Sequence, residues 1–180
     1  MKPVVIGVSA GGPKTLRALL REVRDLKVPI VIAQHNLSSQ MEDFSRWLRD
    51  ETGKDVILVE RAEVIQPGFV YLPAGNKDIM LRGEDIVVVE ESKGLIAPSI
   101  DRLFESAARY LEGDAIAVVL GGLGEDGVKG AMEVARVGGR VIVQSDAEFS
   151  YLPEAVARRV DRVARRTLKE IALMIESMGG

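Results

Sequence analysis

The sequence has 180 residues and contains no cysteine and a single histidine. Without cysteine, the chain can form no disulfide framework, thiolate nucleophile, zinc ribbon or iron–sulfur cluster, and a reducing compartment is permitted. One histidine leaves carboxylates as the only other metal ligands, and the D-x-D-x-D-G spacing of a calcium loop does not occur in the sequence. We therefore expect no metal site.

The sequence also has little excess of charge and no long hydrophobic run. Acidic residues number 27 and basic residues 24, for a net charge of −3, and the sequence pI is about 5.4. This balance disfavours nucleic acid and anionic lipid as partners. The apolar runs at 4–8, 28–33 and 115–120 are far shorter than the ~20 residues that span a bilayer, and the first stops at a glycine-rich turn, unlike a signal peptide. We expect no membrane insertion and a cytoplasmic protein.

What is present is the composition of an ordinary globular protein. Hydrophobic residues make up 47% of the chain and charged residues 28%, both near the averages for soluble domains. A chain of this length can bury a self-sufficient core as one domain. No repeat, low-complexity tract or proline-rich linker marks a boundary in the sequence. The sequence therefore predicts a single domain over residues 1–180.

Short apolar runs alternate with amphipathic stretches along most of the chain. The runs that we predict to be strands are 3–8, 29–33, 115–120 and 140–143. The first predicted helix begins at Pro13, and the others cover 40–50, 99–110, 128–137, 153–159 and 168–178. Continuous apolar strands between amphipathic helices are typical of a parallel sheet buried on both sides. We therefore predict an α/β fold with a mostly parallel sheet flanked by helices on both faces.

The middle of the chain breaks this alternation. Four strand candidates lie close together, at 56–59, 69–72, 78–81 and 86–89. Turn residues such as Pro67-Gly68 separate them, and turns at such short intervals favour antiparallel pairing. We predict an antiparallel β-hairpin excursion in this region.

A local surplus of basic charge lies near the C-terminus, at Arg158, Arg159, Arg162, Arg165 and Arg166. Arginines without interleaved aromatic residues are a poor signal for nucleic-acid binding. We interpret this cluster as a solvated helix face.

A serine lies in the first glycine-rich turn. The segment Gly7-Val8-Ser9-Ala10-Gly11 fits the pattern G-x-S-x-G and lies between a predicted strand and a predicted helix. In that context a serine hydroxyl is exposed on a sharp turn, and amides at the helix N-terminus can donate to a developing oxyanion. The pattern alone also fits a phosphate-binding turn or a purely structural one.

Two further polar groups follow predicted strands and are candidates to act with Ser9. His35 comes directly after the second strand, and Asp126 lies in the glycine-rich segment that follows the strand at 115–120. In a parallel sheet, these strand ends meet at the carboxyl edge. His35 is then a candidate base, and Asp126 or Glu125 a candidate to orient it. The alternatives are a structural histidine and, for Asp126, the N-cap of the following helix.

Six colinear blocks along the chain resemble the catalytic domain of the chemotaxis protein-glutamate methylesterases (CheB). These blocks are Ile6-Gly7-Val8-Ser9-Ala10-Gly11-Gly12-Pro13, Gln34-His35, Pro67-Gly68-Phe69-Val70-Tyr71, Pro98-Ser99-Ile100-Asp101-Arg102-Leu103-Phe104, Gly122-Leu123-Gly124-Glu125-Asp126-Gly127 and Leu152-Pro153-Glu154-Ala155. The resemblance implies an α/β fold with a Ser–His–Asp triad that hydrolyses γ-glutamyl methyl esters on the cytoplasmic helices of chemoreceptors. Some members of the family also deamidate glutamine there. Residue by residue, it makes Ser9 the nucleophile, His35 the base and Asp126 the orienting acid.

The sequence departs from the family pattern in several places. The family often has threonine after the nucleophile and methionine in the third glycine-rich block, where this chain has Ala10 and Leu123. Residues 36–39 differ from the usual Met-Pro continuation, Asp78 replaces a histidine, and Ile96-Ala97 replaces His-Arg. The usual receiver domain is not expected here, because the first predicted strand begins at residue 3. We expect a stand-alone or excised catalytic domain, or a different mode of regulation.

Together these observations predict a serine hydrolase that needs no cofactor. The expected oxyanion donors are the backbone amides of Ala10, Gly11, Gly12 and Leu123. The expected partners are the cytoplasmic domain of a methyl-accepting chemoreceptor and a separate receiver or regulator protein. The alternatives are a glutamine deamidase, an esterase for another substrate, and a catalytically idle binding module.

Overall fold

The computed structural model of the protein describes residues 1–35, 40–94 and 96–179. Its strands are β1 (Val4–Val8), β2 (Ile30–Gln34), β3 (Asp55–Val59), β4 (Ala62–Val64), β5 (Phe69–Pro73), β6 (Lys77–Leu81), β7 (Ile86–Glu91), β8 (Ile116–Val119), β9 (Arg140–Gln144) and β10 (Ala164–Arg166). Its helices are α1 (Gly12–Glu22), α2 (Met41–Thr52), α3 (Ile100–Leu111), α4 (Val128–Arg136), α5 (Tyr151–Arg159) and α6 (Leu168–Ser177).

Seven strands form the main sheet, in the order β10-β9-β8-β1-β2-β5-β3. Every pairing in it is parallel. The five residues of β1 are all buried, as expected for a central strand covered on both faces. Gly7 of β1 is in register with Ala33 of β2 and with Val119 of β8, so these three strands end at one level. The predicted α/β fold is confirmed.

Helices cover both faces of this sheet, and each face has its own apolar core. Along β1 the side chains alternate between the two cores: Ile6 lies with apolar residues of α1, α2 and α6, and Val5 with those of α3, α4 and α5. Gly7 points towards α3, where a Cβ atom would lie 2.4 Å from Ile100 Cγ2. The missing side chain therefore lets the start of α3 lie directly on the end of β1.

A second, three-stranded antiparallel sheet has the order β4-β7-β6 and packs on α3. It contains the strand candidates at 78–81 and 86–89, as predicted. The sequence also predicts the candidates at 56–59 and 69–72 to lie in the hairpin excursion. This prediction is wrong, because they form β3 and β5 of the main sheet. The remaining strand, β4, has three exposed residues and no apolar pattern that would predict it.

The five arginines near the C-terminus do not share one helix. Arg158 and Arg159 end α5, Arg162 lies in the following turn, and Arg165 and Arg166 belong to the edge strand β10. All five are exposed to solvent. The interpretation as a helix face is therefore wrong, although the predicted solvation holds.

The longest helices described here, α2 and α3, have 12 residues each. A span across a bilayer takes about 20. Within the described ranges, no helix combines the length and the apolarity that crossing a membrane requires.

Candidate active site

Three polar side chains meet at the carboxyl edge of the main sheet. Ser9 follows β1, His35 follows β2, and Asp126 lies in the loop between β8 and α4. These strands are neighbours, with β1 in the middle. The strand that follows β1 in the chain, β2, lies on one side of it, and β8 lies on the other side. Where the strand order reverses in this way, a crevice forms at the carboxyl edge, and α/β proteins bind ligands there.

The three side chains form a continuous hydrogen-bonded series. Nδ1 of His35 lies 3.0 Å from Oγ of Ser9, and Nε2 lies 2.7 Å from Oδ2 of Asp126. The side chains of His35 and Asp126 are 17% and 16% exposed, so the pair is largely shielded from water. With the proton on Nε2 donated to Asp126, the lone pair of Nδ1 points at the serine hydroxyl. Chymotrypsin-type triads use the two ring nitrogens the other way round.

The sequence left open which acidic residue faces the imidazole. The structure places Asp126 there, while the neighbouring Glu125 is exposed to solvent. His35 thus lies within hydrogen-bonding distance of both other predicted site residues, Ser9 and Asp126.

The turn after β1 holds Ser9 by its backbone. The Ser9 amide donates to the carbonyl of Gly121 at 2.9 Å, and the amide of Gly12 donates to the carbonyl of Ser9 at 3.0 Å. Between them, Gly11 adopts a φ of 77° as the N-cap of α1. This left-handed conformation favours glycine and lets the chain pass from strand to helix within three residues.

The four predicted oxyanion donors are not equivalent. The amide of Gly12 is already hydrogen-bonded to Ser9, so Gly12 is not free to donate to a substrate, contrary to the prediction. The amides of Ala10, Gly11 and Leu123 have no acceptor in the part of the chain that the structure describes. Leu123 follows Gly122, whose backbone packs against the Ser9 side chain. Among the four predicted donors, these three amides remain candidates to donate to a substrate.

Asp126 is held by the first turn of α3. Its Oδ2 accepts from the amide of Ile100 at 2.8 Å and its Oδ1 from the amide of Asp101 at 2.9 Å. The alternative role as N-cap of the following helix is wrong, because Gly127 occupies that position. Burial alone would raise the pKa of Asp126, but the hydrogen bonds from His35 and from the two amides outweigh burial and hold the pKa below its ordinary 3.8.

Sequence reasoning missed a second aspartate in this region. Oδ1 of Asp101 accepts from the amides of Gly127 and Gly130, at 2.9 and 2.8 Å. Burial raises the pKa of Asp101 in spite of these two bonds, and the nearby charge of Asp126 adds to the rise. Two signals were available: its place in the first turn of a predicted helix, which is common for acidic residues, and its place in one of the blocks that resemble the family.

Asp78, which replaces a family histidine, anchors the same end of α3. It is 1% exposed, and it accepts from the amide of Ser99 at 2.7 Å and from Nη1 of Arg102 at 2.8 Å. Arg102 also contacts Glu90 of β7 at 3.2 Å. The small sheet and the helix that carries the Asp126 donors are thereby joined by partly buried charge-assisted hydrogen bonds.

A cavity of about 350 Å³ opens beside the candidate site. Its lining includes Asp78, Lys93, Gly94, Ile96, Ser99, Arg102 and Asp126. A larger cavity of about 510 Å³ lies among α4, β9 and α5, and its lining includes none of the three site residues.

Among the described residues, no group of three or more histidine, aspartate or glutamate side chains is arranged to hold a metal ion. Residues 36–39, where the sequence departs from the family pattern after His35, lie outside the described residues.

Comparisons with known proteins show which family this chain resembles. The CheB methylesterase family model matches residues 4–175. A protein-glutamate methylesterase/protein-glutamine glutaminase of Pseudomonas fluorescens is 36% identical over 175 residues, which cover 94% of this chain and 52% of the relative. The protein-glutamate methylesterase FrzG of Myxococcus xanthus is 33% identical over 147 residues, which cover 80% of this chain and 44% of the relative. The chain thus spans about half the length of the curated relatives that it matches.

The fold has a close counterpart among solved structures. The crystal structure of the Thermotoga maritima CheB methylesterase catalytic domain superposes with a TM-score of 0.85 at 27% sequence identity, covering 97% of each chain. On the sequence match and on this fold, the chain belongs to the CheB methylesterase family.

Proposed function

We propose that this protein is a cytoplasmic serine hydrolase that cleaves γ-glutamyl methyl esters on the cytoplasmic helices of chemoreceptors and releases methanol. The observation that carries the proposal is the hydrogen-bonded series Ser9–His35–Asp126 at the carboxyl edge of the sheet. Family membership supports the substrate class, since relatives such as that of Pseudomonas fluorescens are named protein-glutamate methylesterases.

In the first step His35 acts as the general base. Nδ1 takes the proton of the Ser9 hydroxyl while Oγ attacks the carbonyl carbon of the ester. Asp126 accepts the Nε2 proton in a hydrogen bond, which fixes the tautomer and stabilises the imidazolium that forms. Because the pKa of Asp126 is lowered, its carboxyl stays ionised over the neutral range.

Backbone amides stabilise the tetrahedral intermediate. The amides of Ala10 and Gly11 lie in the serine turn at the N-terminus of α1, where the helix dipole favours negative charge. The amide of Leu123 approaches from the adjacent loop. Donors that are fixed before the reaction stabilise the oxyanion at little reorganisation cost.

The intermediate then collapses to an acyl-enzyme. The imidazolium returns its proton to the departing methoxide, which leaves as methanol, while the glutamyl carbonyl remains bonded to Ser9 Oγ. His35 next takes a proton from water, the hydroxide attacks the acyl carbon, and Ser9 leaves with that proton. The products are a glutamate side chain and free enzyme. Neither the formation nor the hydrolysis of the acyl-enzyme uses a cofactor.

Deamidation of glutamine is the second candidate activity. The names of several relatives include protein-glutamine glutaminase. The same steps release ammonia when the substrate is the side-chain amide of glutamine, because the imidazolium then protonates the departing nitrogen. Methyl-ester and glutamine forms of one receptor peptide, assayed side by side, separate the two activities. Covalent labelling of Ser9 by an organophosphonate argues against an idle binding module.

The proposed partners follow from this substrate. One is the cytoplasmic domain of a methyl-accepting chemoreceptor, and the other is a separate receiver or regulator protein. The cavity beside Asp126 offers the side chain of Lys93 and the exposed apolar side chain of Ile96 to residues that flank the reacting glutamyl group.

The test is methanol release from a methyl-labelled receptor fragment. We expect Ser9→Ala and His35→Gln each to lower kcat by about 10⁴-fold or more, as in other triads. Ser177→Ala, at the exposed end of α6, is the matched control and keeps wild-type turnover. Normal turnover by Ser9→Ala would exclude the mechanism.

A further inference from the structure

Asp101 takes part in none of the steps described, yet one oxygen of its carboxylate accepts two backbone hydrogen bonds within the fold. It lies in the first turn of α3, and its Oδ1 accepts the amides of Gly127 and Gly130 at the start of α4. The close approach of the two helices depends on Gly130, where a Cβ would lie 2.6 Å from Phe104 Cβ and 3.0 Å from the Asp101 carbonyl oxygen.

The hydrogen bonds between the two helix starts are reciprocal. Asp101 on α3 accepts amides from α4, and Asp126, directly before α4, accepts amides from Ile100 and Asp101 on α3. Gly127, which donates to Asp101, is the residue next to Asp126. Movement of Gly127 away from α3 would therefore also shift Asp126, which amides of α3 hold beside His35.

We propose that Asp101 is a positioning residue for the reaction, because its carboxylate oxygen fixes Gly127 and thereby keeps Asp126 against Nε2 of His35. This inference rests on the proposed role of Asp126. The positioning of Asp126 is then due to the acceptor oxygen of Asp101, and an asparagine side chain also provides such an oxygen.

The electrostatics agree with a role for the acceptor oxygen and not for the charge. Burial and the adjacent Asp126 raise the pKa of Asp101, so the negative charge of Asp101 is disfavoured where it lies. Two amide donors are all that its Oδ1 contacts in the described part of the chain.

The experiment compares Asp101→Ala, which removes the acceptor, with Asp101→Asn, which keeps it. The chain has one histidine, so the ¹⁵N signals of an imidazole in labelled protein belong to His35 alone. We expect wild type and Asp101→Asn to show the Nε2–H tautomer. In Asp101→Ala the two ring-nitrogen shifts should move towards each other, while kcat falls about tenfold with KM unchanged, the scale of other outer-shell hydrogen-bond losses.

Two outcomes would overturn the proposal. One is a folded Asp101→Ala with the wild-type His35 shifts and the wild-type kcat. The other is an Asp101→Asn whose His35 shifts and kcat change as much as those of Asp101→Ala. A merely structural role would lower the melting temperature and leave the tautomer unchanged. If Asp101→Ala does not fold, Asp101→Ser, whose shorter hydroxyl cannot reach both amides, gives the same comparison. The shifts need no substrate, so they test the positioning even if Ser9→Ala keeps its turnover and the proposed hydrolase is lost.

Discussion

The backbone of Gly122 packs directly against the side chain of Ser9. A Cβ atom on Gly122 would lie 2.9 Å from Ser9 Cβ and 3.0 Å from Leu152 Cδ2. We predict that Gly122→Ala displaces Ser9 and lowers kcat by about 100-fold, because an ångström-scale misplacement of a reacting group costs that much. Steady-state methanol release measures the effect.

The matched control is two residues away. A Cβ on Gly124 would meet no atom of the described residues within 4 Å, so Gly124→Ala should keep wild-type kcat. Equal losses in both variants would show that the loop tolerates no side chain for a reason other than contact with Ser9.

Asp126→Asn should lower kcat by about 10⁴-fold with little change in KM, because an amide NH₂ facing His35 favours the wrong tautomer. The exposed neighbour Glu125 is the control, and Glu125→Gln should retain full turnover. A small effect of Asp126→Asn would mean that His35 needs no carboxylate to orient it.

Two helix caps allow stability and activity to be separated. Ser99 caps α3 by accepting the amide of Arg102 at 3.1 Å, and Thr167 caps α6 by accepting the amide of Glu170 at 3.1 Å. Alanine at either position should lower the free energy of unfolding by about 1 kcal/mol in urea titrations. Only Ser99→Ala should also lower kcat, by about fivefold, the rate equivalent of about 1 kcal/mol. Comparable kcat losses at Thr167 would point to global loosening.

The raised pKa of Asp101 predicts a pH-dependent effect of Asp101→Asn on stability. A group whose pKa is higher in the folded protein favours folding when protonated, and that contribution is lost as the pH rises through the raised pKa. Asparagine mimics the protonated form at every pH. The melting temperature of Asp101→Asn relative to wild type should therefore be highest near pH 7 and should decline as the pH falls towards the ordinary value of 3.8.

The control for that series is Asp50→Asn. Asp50 is exposed, and its side chain makes no hydrogen bond or ion pair to the described residues. Asp50→Asn measures what the same substitution does at an exposed position. A difference for Asp101→Asn that does not change with pH would contradict the burial argument.

The strands and helices with a strong apolar pattern were predictable from the sequence. β1 is apolar throughout and buried on both faces, and the predicted helices all exist, with ends that differ by a few residues. β10, with the sequence Ala-Arg-Arg, carries no such pattern, because an edge strand can be formed by backbone hydrogen bonds alone. The placement of β3 and β5 failed for a related reason: turn residues indicate where strands end and do not indicate which strand pairs with which.

The candidate site was predictable at the level of residue type and strand end. Ser9, His35 and Asp126 each follow a strand of the parallel sheet, and parallel topology brings such ends together. The support around them was not predictable, because it depends on contacts across space. Asp126 is held by α3, whose first turn lies about 25 positions earlier in the chain, and the use of the Gly12 amide by Ser9 depends on the geometry of one turn.

The order of the strands has a consequence for how the protein acquires its activity as it folds. The β1-α1-β2 unit contains Ser9 and His35, but Asp126 follows β8 and is 91 positions beyond His35. An early folding unit made of local contacts would therefore carry a hydroxyl and an imidazole with no carboxylate. When the protein refolds after dilution from denaturant, the return of turnover then reports the pairing of β8 with β1. This contact joins distant parts of the chain, and such contacts are expected to form slowly.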